Sequence, residues 1–227
     1  GYGTSLTIQN DKFVLNNFFT YDLSEETWNL NAVLGMSYEE DVLKRQFIEG
    51  QNFPSDDLRN LSSAGEITGR GTNETAFSFV SYFARASFDI KKRYLFKASV
   101  RVDGSSRFGE NNRYGTFPAF SAGWMMSEEP WLKEKTSISI LKIRANWGLT
   151  GNANIGNFTS QTNFVTNAYN RQPGFWIGTL GDPDLSWEET AQFNAGIDLG
   201  FFNNRLLTSV DYYNKNTEGV LLQDIIP

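Results

Sequence analysis

The chain has 227 residues, 40% apolar and 15% aromatic, with 20 Lys and Arg against 26 Asp and Glu and a net charge of −6. It contains neither cysteine nor histidine, which excludes disulfides, thiolate nucleophiles, Ser-His-Asp relays and His- or Cys-based metal sites. No basic patch marks a nucleic-acid partner, and no apolar run reaches the roughly 18 residues of a transmembrane helix.

Along the chain the dominant signal is alternation with a period of two, which only a strand converts into two distinct faces. Strands are predicted, in chain order, over 12–21, 27–38, 77–90, 94–103, 117–127, 138–150, 189–202 and 205–216. In the second, Trp28, Leu30, Ala32, Leu34 and Met36 share a face. In the third, Tyr82, Ala84, Ala86, Phe88 and Ile90 oppose Arg85, Ser87 and Asp89. The fourth sets Phe96, Ala98, Val100 and Val102 against Lys97, Ser99, Arg101 and Asp103. In the fifth, Pro118, Phe120, Ala122, Trp124 and Met126 align. The sixth sets Leu141, Ile143, Ala145, Trp147 and Leu149 against Lys142, Arg144, Asn146 and Gly148. The seventh sets Ala191, Phe193, Ala195, Ile197 and Leu199 against Gln192, Asn194, Gly196 and Asp198.

The connections sort by length. Short ones (22–26, 91–93, 203–204, and 128–137 with room for a helical turn) alternate with long ones at 39–76, 104–116 and 151–188. An up-and-down barrel in an outer membrane sorts its loops in this way, whereas a soluble sandwich has no reason to. Strands of about ten residues suit a tilted bilayer crossing. Aromatics near strand ends (Tyr94, Trp124, Phe201, Phe202, Tyr212, Tyr213) suit the headgroup level. The predicted fold is all-β: a transmembrane antiparallel up-and-down barrel, of which residues 1–227 form part. The polar start at Gly1, without a signal peptide, and the apolar run Val220-Leu221-Leu222 near the end suggest a segment internal to a longer protein.

Three motifs have plain structural readings. Asp103, Glu110, Asn111 and Asn112 offer oxygen ligands, but their spacing departs from an EF-hand, so a hydrogen-bonded loop is expected and no metal ligands are assigned. The glycines between Gly148 and Gly156 match neither GxGxxG nor a Walker loop and are expected to permit a tight strand exit. Asp182 and Asp184 flank Pro183 and read as turn formers rather than a catalytic carboxylate pair. No catalytic or cofactor-binding residue is assigned, and the chain is expected not to be an enzyme. In the 151–188 loop, Tyr169, Arg171, Phe175 and Trp176 are candidates for touching substrate or a lid, since aromatics stack on sugars and Arg clamps carboxylates.

Several blocks carry a family resemblance. Arg101-Val102-Asp103-Gly104-Ser105-Ser106-Arg107-Phe108-Gly109 is followed by Thr116-Phe117-Pro118-Ala119-Phe120-Ser121-Ala122-Gly123-Trp124 and Ser127-Glu128-Glu129-Pro130-Trp131. Leu141-Lys142-Ile143-Arg144-Ala145-Asn146-Trp147-Gly148 precedes Asp182-Pro183-Asp184-Leu185-Ser186-Trp187-Glu188 and Asp211-Tyr212-Tyr213-Asn214-Lys215. In this order and spacing they resemble the SusC/RagA family of TonB-linked outer-membrane proteins of Bacteroidetes, with Asp182 where that family more often has Asn.

The resemblance implies about eight strands of a plugged barrel of the roughly 22-stranded class. The plug and TonB-contacting segment would lie upstream, outside this chain. It also implies outer-membrane import of an oligosaccharide or peptide, with a SusD-like surface lipoprotein, TonB and outer-membrane lipid as partners and no cofactor. A structural or assembly role for such a barrel is the alternative. Within a plugged barrel, Arg85, Asp89, Lys97, Arg101, Lys142, Arg144 and Asp198 would face the lumen and pair with the plug or with water.

Overall fold

The computed structural model describes residues 1–58, 60–133, 137–169 and 172–220. Among these residues ten strands run: β1 (Tyr2–Ser24), β2 (Trp28–Gln51), β3 (Glu66–Ile90), β4 (Tyr94–Ser105), β5 (Tyr114–Met125), β6 (Ile138–Asn152), β7 (Asn163–Tyr169), β8 (Gln172–Thr179), β9 (Glu188–Phe201) and β10 (Leu206–Glu218). Eight form one sheet in the order β1-β2-β3-β4-β5-β6-β9-β10, and β7 and β8 form a separate hairpin. From β4 onward neighbouring strands are antiparallel, as are β7 and β8. The fold class read from the sequence is therefore the observed one.

Two compact units arise, one from Gly1–Leu15 with Tyr38–Phe79, the other from Asn16–Ser37 with Val80 onward. In the first, a Lys12–Glu39 ion pair at 2.7 Å and a Phe13–Tyr38 ring contact at 6.3 Å join β1 to β2, and a Lys44–Glu74 ion pair at 3.8 Å joins β2 to β3. The long connection expected at 39–76 is corrected here. β2 continues to Gln51 and β3 starts at Glu66, leaving only 52–65 between them. Glu39-Glu40-Asp41 and Arg70 to Glu74 do not alternate apolar with polar, because a strand wetted on both faces needs no apolar face. Likewise β7 and β8 lie inside the connection expected at 151–188.

In the second unit, Lys91 and Lys92 both take positive φ (52° and 57°) in the three-residue β3–β4 connection, where the Arg93 amide donates to the Ile90 carbonyl at 2.9 Å, and two successive left-handed residues match the twist of the flanking strands. Asp89 stabilises this turn by accepting a hydrogen bond from the Lys92 amide at 2.8 Å. The connection from β5 to β6 contains the anticipated helical turn, Pro130–Lys133.

Candidate functional site

Cross-strand register fixes which side chains share a face, because directly opposed residues project to the same side. Phe96 opposes Ala122, Phe120 opposes Trp147, and Trp147 opposes Phe193. Phe120, Trp147 and Phe193 are 54%, 39% and 41% exposed. Alanines among them, such as Ala84, Ala86 and Ala98, leave shallow troughs on this face. Among the described residues the buried apolar side chains are Phe108, Phe117 and Trp187, none of them on that face. A water-soluble domain of this size would bury a far larger apolar core, so the apolar face of the sheet is built to meet something other than water.

The opposite face is polar. Arg144 donates to Asp198 at 3.1 and 3.3 Å and pairs with Asp211 at 2.6 Å, while the Ser209 hydroxyl donates to Asp198 at 2.9 Å. Lys142 stands directly opposite Asp198. Arg101 donates to Asp103 at 2.6 Å and to the buried Ser81 hydroxyl at 2.7 Å. Asn194 donates to Asn146 at 2.7 Å and accepts from Gln192 at 2.9 Å. Arg101, Arg144 and Asp198 thus have partners within the sheet, and Asp89 accepts a hydrogen bond in its own turn. Arg85 and Lys97 have no ion pair or side-chain hydrogen bond among the described residues. Asp211 was not anticipated because it lies on a strand remote in sequence from Arg144.

At the end of the sheet carrying the longer loops, the DGSSRFG and DPDLSW motifs form one small core. Phe108 is 1% exposed and packs 4.7 Å from Trp187, which meets Phe117 at 5.3 Å. The Trp187 indole donates to the Arg113 carbonyl at 3.3 Å. Arg107 donates to Asn157 at 2.8 Å and to the Ala153 carbonyl at 3.0 Å, and Asn112 donates to the Asp184 carbonyl at 2.8 Å. The Asp184 amide donates to Asp182 at 2.9 Å, so this acidic pair forms a turn, as expected. A Cβ at Gly109 would collide with the Pro183 carbonyl, and one at Gly151 with the Phe117 ring. Gly151 is therefore needed for space rather than for the tight strand exit expected. Among the described residues no cluster of three or more metal-ligating acids occurs.

Of the loop candidates, Phe175 is 75% and Trp176 is 66% exposed on β8, and Phe175 meets Phe164 of β7 edge-on at 5.8 Å. The β7–β8 register puts Phe164 and Ile177 opposite each other, and Val165 opposite Trp176 on the other face. Both faces of the hairpin therefore carry exposed apolar side chains. Arg171 lies outside the described residues, and Tyr169 is described only as a strand position.

At the opposite end, the buried Glu129 gathers β4 and β5. It accepts from Tyr94 at 2.7 Å, Trp124 at 3.0 Å and Arg93 at 3.3 Å. The Tyr94 and Trp124 hydrogen bonds, aided by the nearby charges of Arg93 and Lys91, hold its carboxyl below the usual carboxylate range.

Over its whole length, residues 1–227, the chain matches the family model described as TonB dependent receptor-like, beta-barrel. The chain belongs to that family. Among relatives of this receptor barrel, TonB-dependent receptor P39 of Formosa agariphila is 39% identical, over 95% of this chain and 21% of that protein. TonB-dependent receptor SusC of Bacteroides thetaiotaomicron is 32% identical, over 99% of this chain and 25% of its own length. The structure of the RagAB peptide transporter superposes with a TM-score of 0.93 at 31% identity, covering 99% of this chain and 25% of that one. The chain spans about a quarter of the length of the relatives it matches. In a receptor barrel the apolar face is the lipid-facing one and the polar face lines the lumen.

Proposed function

We propose that this chain forms part of the wall and outer loops of an outer-membrane, TonB-dependent importer of a bulky nutrient, an oligosaccharide or a peptide. The observation that carries this is the uncovered apolar face of β3–β6 and β9, backed by a polar face on which Arg101 pairs with Asp103 and Arg144 with Asp198 and Asp211. That arrangement suits a wall between lipid and an aqueous or plugged lumen. The family consists of transporters, and the side chains here supply binding surfaces and no reaction chemistry.

Outside the membrane, the β7–β8 hairpin is well suited to contact cargo or a SusD-like surface lipoprotein. A two-stranded hairpin is marginal alone in water, and Phe175 and Trp176 supply large apolar area at low entropic cost. TonB would act through a segment upstream, and the remaining contacts are with outer-membrane lipid.

The test is membrane fractionation of the full-length protein with a heat-modifiability gel, followed by uptake assays of oligosaccharides and peptides with and without a functional TonB. Outer-membrane residence, faster migration when unboiled and TonB-dependent uptake are expected. A protein recovered soluble from periplasm or medium would overturn the proposal.

A further inference from the structure

The apolar face of β4–β6 and β9 is not evenly filled. One row across the strands sets Ala122 opposite Ala145 and Ala145 opposite Ala195, so three alanines lie side by side on β5, β6 and β9. The rows above and below it are large. Phe120, Trp147 and Phe193 stand toward the longer loops, and Trp124, Ile143 and Ile197 toward the short turns. On β4 the sizes are exchanged, with Phe96 opposite Ala122 and Ala98 opposite Phe120. The low floor therefore passes between Phe96 and Phe120 to Ala98 and Ala86, as a trough of about 450 Å³. Within lipid there is no water to expel, so such a trough holds a chain by dispersion contact with its walls and floor.

The position of the trough selects a leaflet. Lys92 precedes Phe96 by four residues, about 14 Å along a strand and less down a tilted one. Half of a bilayer hydrocarbon core is about 15 Å. A lipid with its headgroup at the β3–β4 turn therefore reaches the trough with an acyl chain inside the periplasmic leaflet. Tyr94 and Trp124, stacked at 6.4 Å, lie between the two at the level suited to headgroups.

The turn region carries charge of both signs. Lys91 and Lys92 are exposed and have no ion pair among the described residues, whereas Arg93 is held by Glu129 at 3.3 Å. The Lys91 amide donates to the Thr27 carbonyl at 2.6 Å, which brings the β1–β2 turn, with exposed Glu25 and Glu26, alongside. Cations for a phosphate and carboxylates for an ammonium thus stand at one place.

We propose that this wall holds one periplasmic-leaflet glycerophospholipid with an ethanolamine headgroup. Its phosphate lies on Lys91 and Lys92, its ammonium toward Glu25 and Glu26, and one acyl chain in the alanine trough. The proposal rests on the reading of this face as lipid-facing and gives that face a defined ligand.

The test uses the full-length receptor in detergent, offered phosphatidylethanolamine or phosphatidylglycerol of matched chains, with retained lipid counted by native mass spectrometry. A122L/A145L fills the trough and keeps the face apolar, and K91Q/K92Q removes the two cations from an exposed turn. The parent receptor is expected to retain one phosphatidylethanolamine in preference to phosphatidylglycerol. Each double variant should bind it about tenfold more weakly while keeping the heat-modifiability of an intact barrel. If A122L/A145L loses that property, K91Q/K92Q decides alone. Equal retention of the two lipids by the parent, or unchanged retention in either intact variant, overturns the proposal. So does a loss of self-association in A122L/A145L at unchanged lipid retention, which would assign the trough to a second copy of the receptor. A receptor absent from the outer membrane overturns the lipid-facing reading as well.

Discussion

The ring of Phe108 lies 4.7 Å from that of Trp187, joining a loop after β4 to the residue that leads into β9. Both are almost fully buried, on a molecule whose other large apolar side chains mostly face outward. Replacing either by Ala should cost about 3–5 kcal/mol locally, and the cost should fall on the loops rather than on the sheet. Limited trypsin treatment of intact cells should then cut at Arg107 or Arg113, while heat-modifiability stays that of the parent. Loop cleavage unchanged in W187A would refute the small core as the loops' anchor.

Gly109 offers a complementary check from the opposite steric direction. A methyl group there meets backbone, the Pro183 carbonyl, which cannot rotate aside as a side chain would. G109A should destabilise the same loops by about 1–3 kcal/mol and raise trypsin sensitivity as W187A does. Parent-like protease resistance would show that the two loops do not touch there.

Arg144 separates two carboxylates. R144A leaves Asp198 and Asp211 facing each other unneutralised, at a cost of about 1–3 kcal/mol. The triple variant R144A/D198N/D211N should recover most of that loss, since it removes the like charges together with the cation. Urea unfolding in lipid vesicles reads both values. Equal stability of the single and triple variants would mean that the three groups are uncoupled.

Glu129 should give a pH signature. Its carboxyl is held below the ordinary 4.5 by donors from Tyr94 and Trp124. A depressed pKa in the fold contributes stability that is complete above the ordinary carboxylate range and is lost as pH falls through the folded value. Thermal unfolding of the purified barrel should therefore weaken as pH drops below 4.5, and E129Q should flatten that dependence while lowering stability at neutral pH. The same acid slope in E129Q would place the titrating group elsewhere.

The eight strands of the sheet were legible because one bilayer-facing side must be apolar over its whole width, and Phe96, Ala98 and Val100 alternate strictly with Lys97, Ser99 and Arg101. The sheet order confirms them, with β4 at Tyr94–Ser105 against a predicted 94–103. The outer halves of β2 and β3 escaped notice for the converse reason. Beyond the bilayer both faces are wet, so Glu39-Glu40-Asp41 sit in a strand with no periodic signal.

Within the polar face, sequence marked Arg144 and Asp198 as facing one way but could not pair them. Side-chain contacts across strands depend on register, and register follows from turn geometry and hydrogen-bond phase summed over three connections. The same limit hid Asp211 and the acceptance by Glu129 of bonds from both Tyr94 and Trp124.

The sequence by itself determined an antiparallel barrel wall, its strand positions, its two faces and the absence of His and Cys chemistry. These depend on local alternation and on residue inventory, which are properties of the chain. Tertiary structure alone decided which charges neutralise one another and that Phe108, Phe117 and Trp187 form a core between loops. Each of these requires residues far apart in the chain to meet at a distance of a few ångströms, and only the strand register sets that distance.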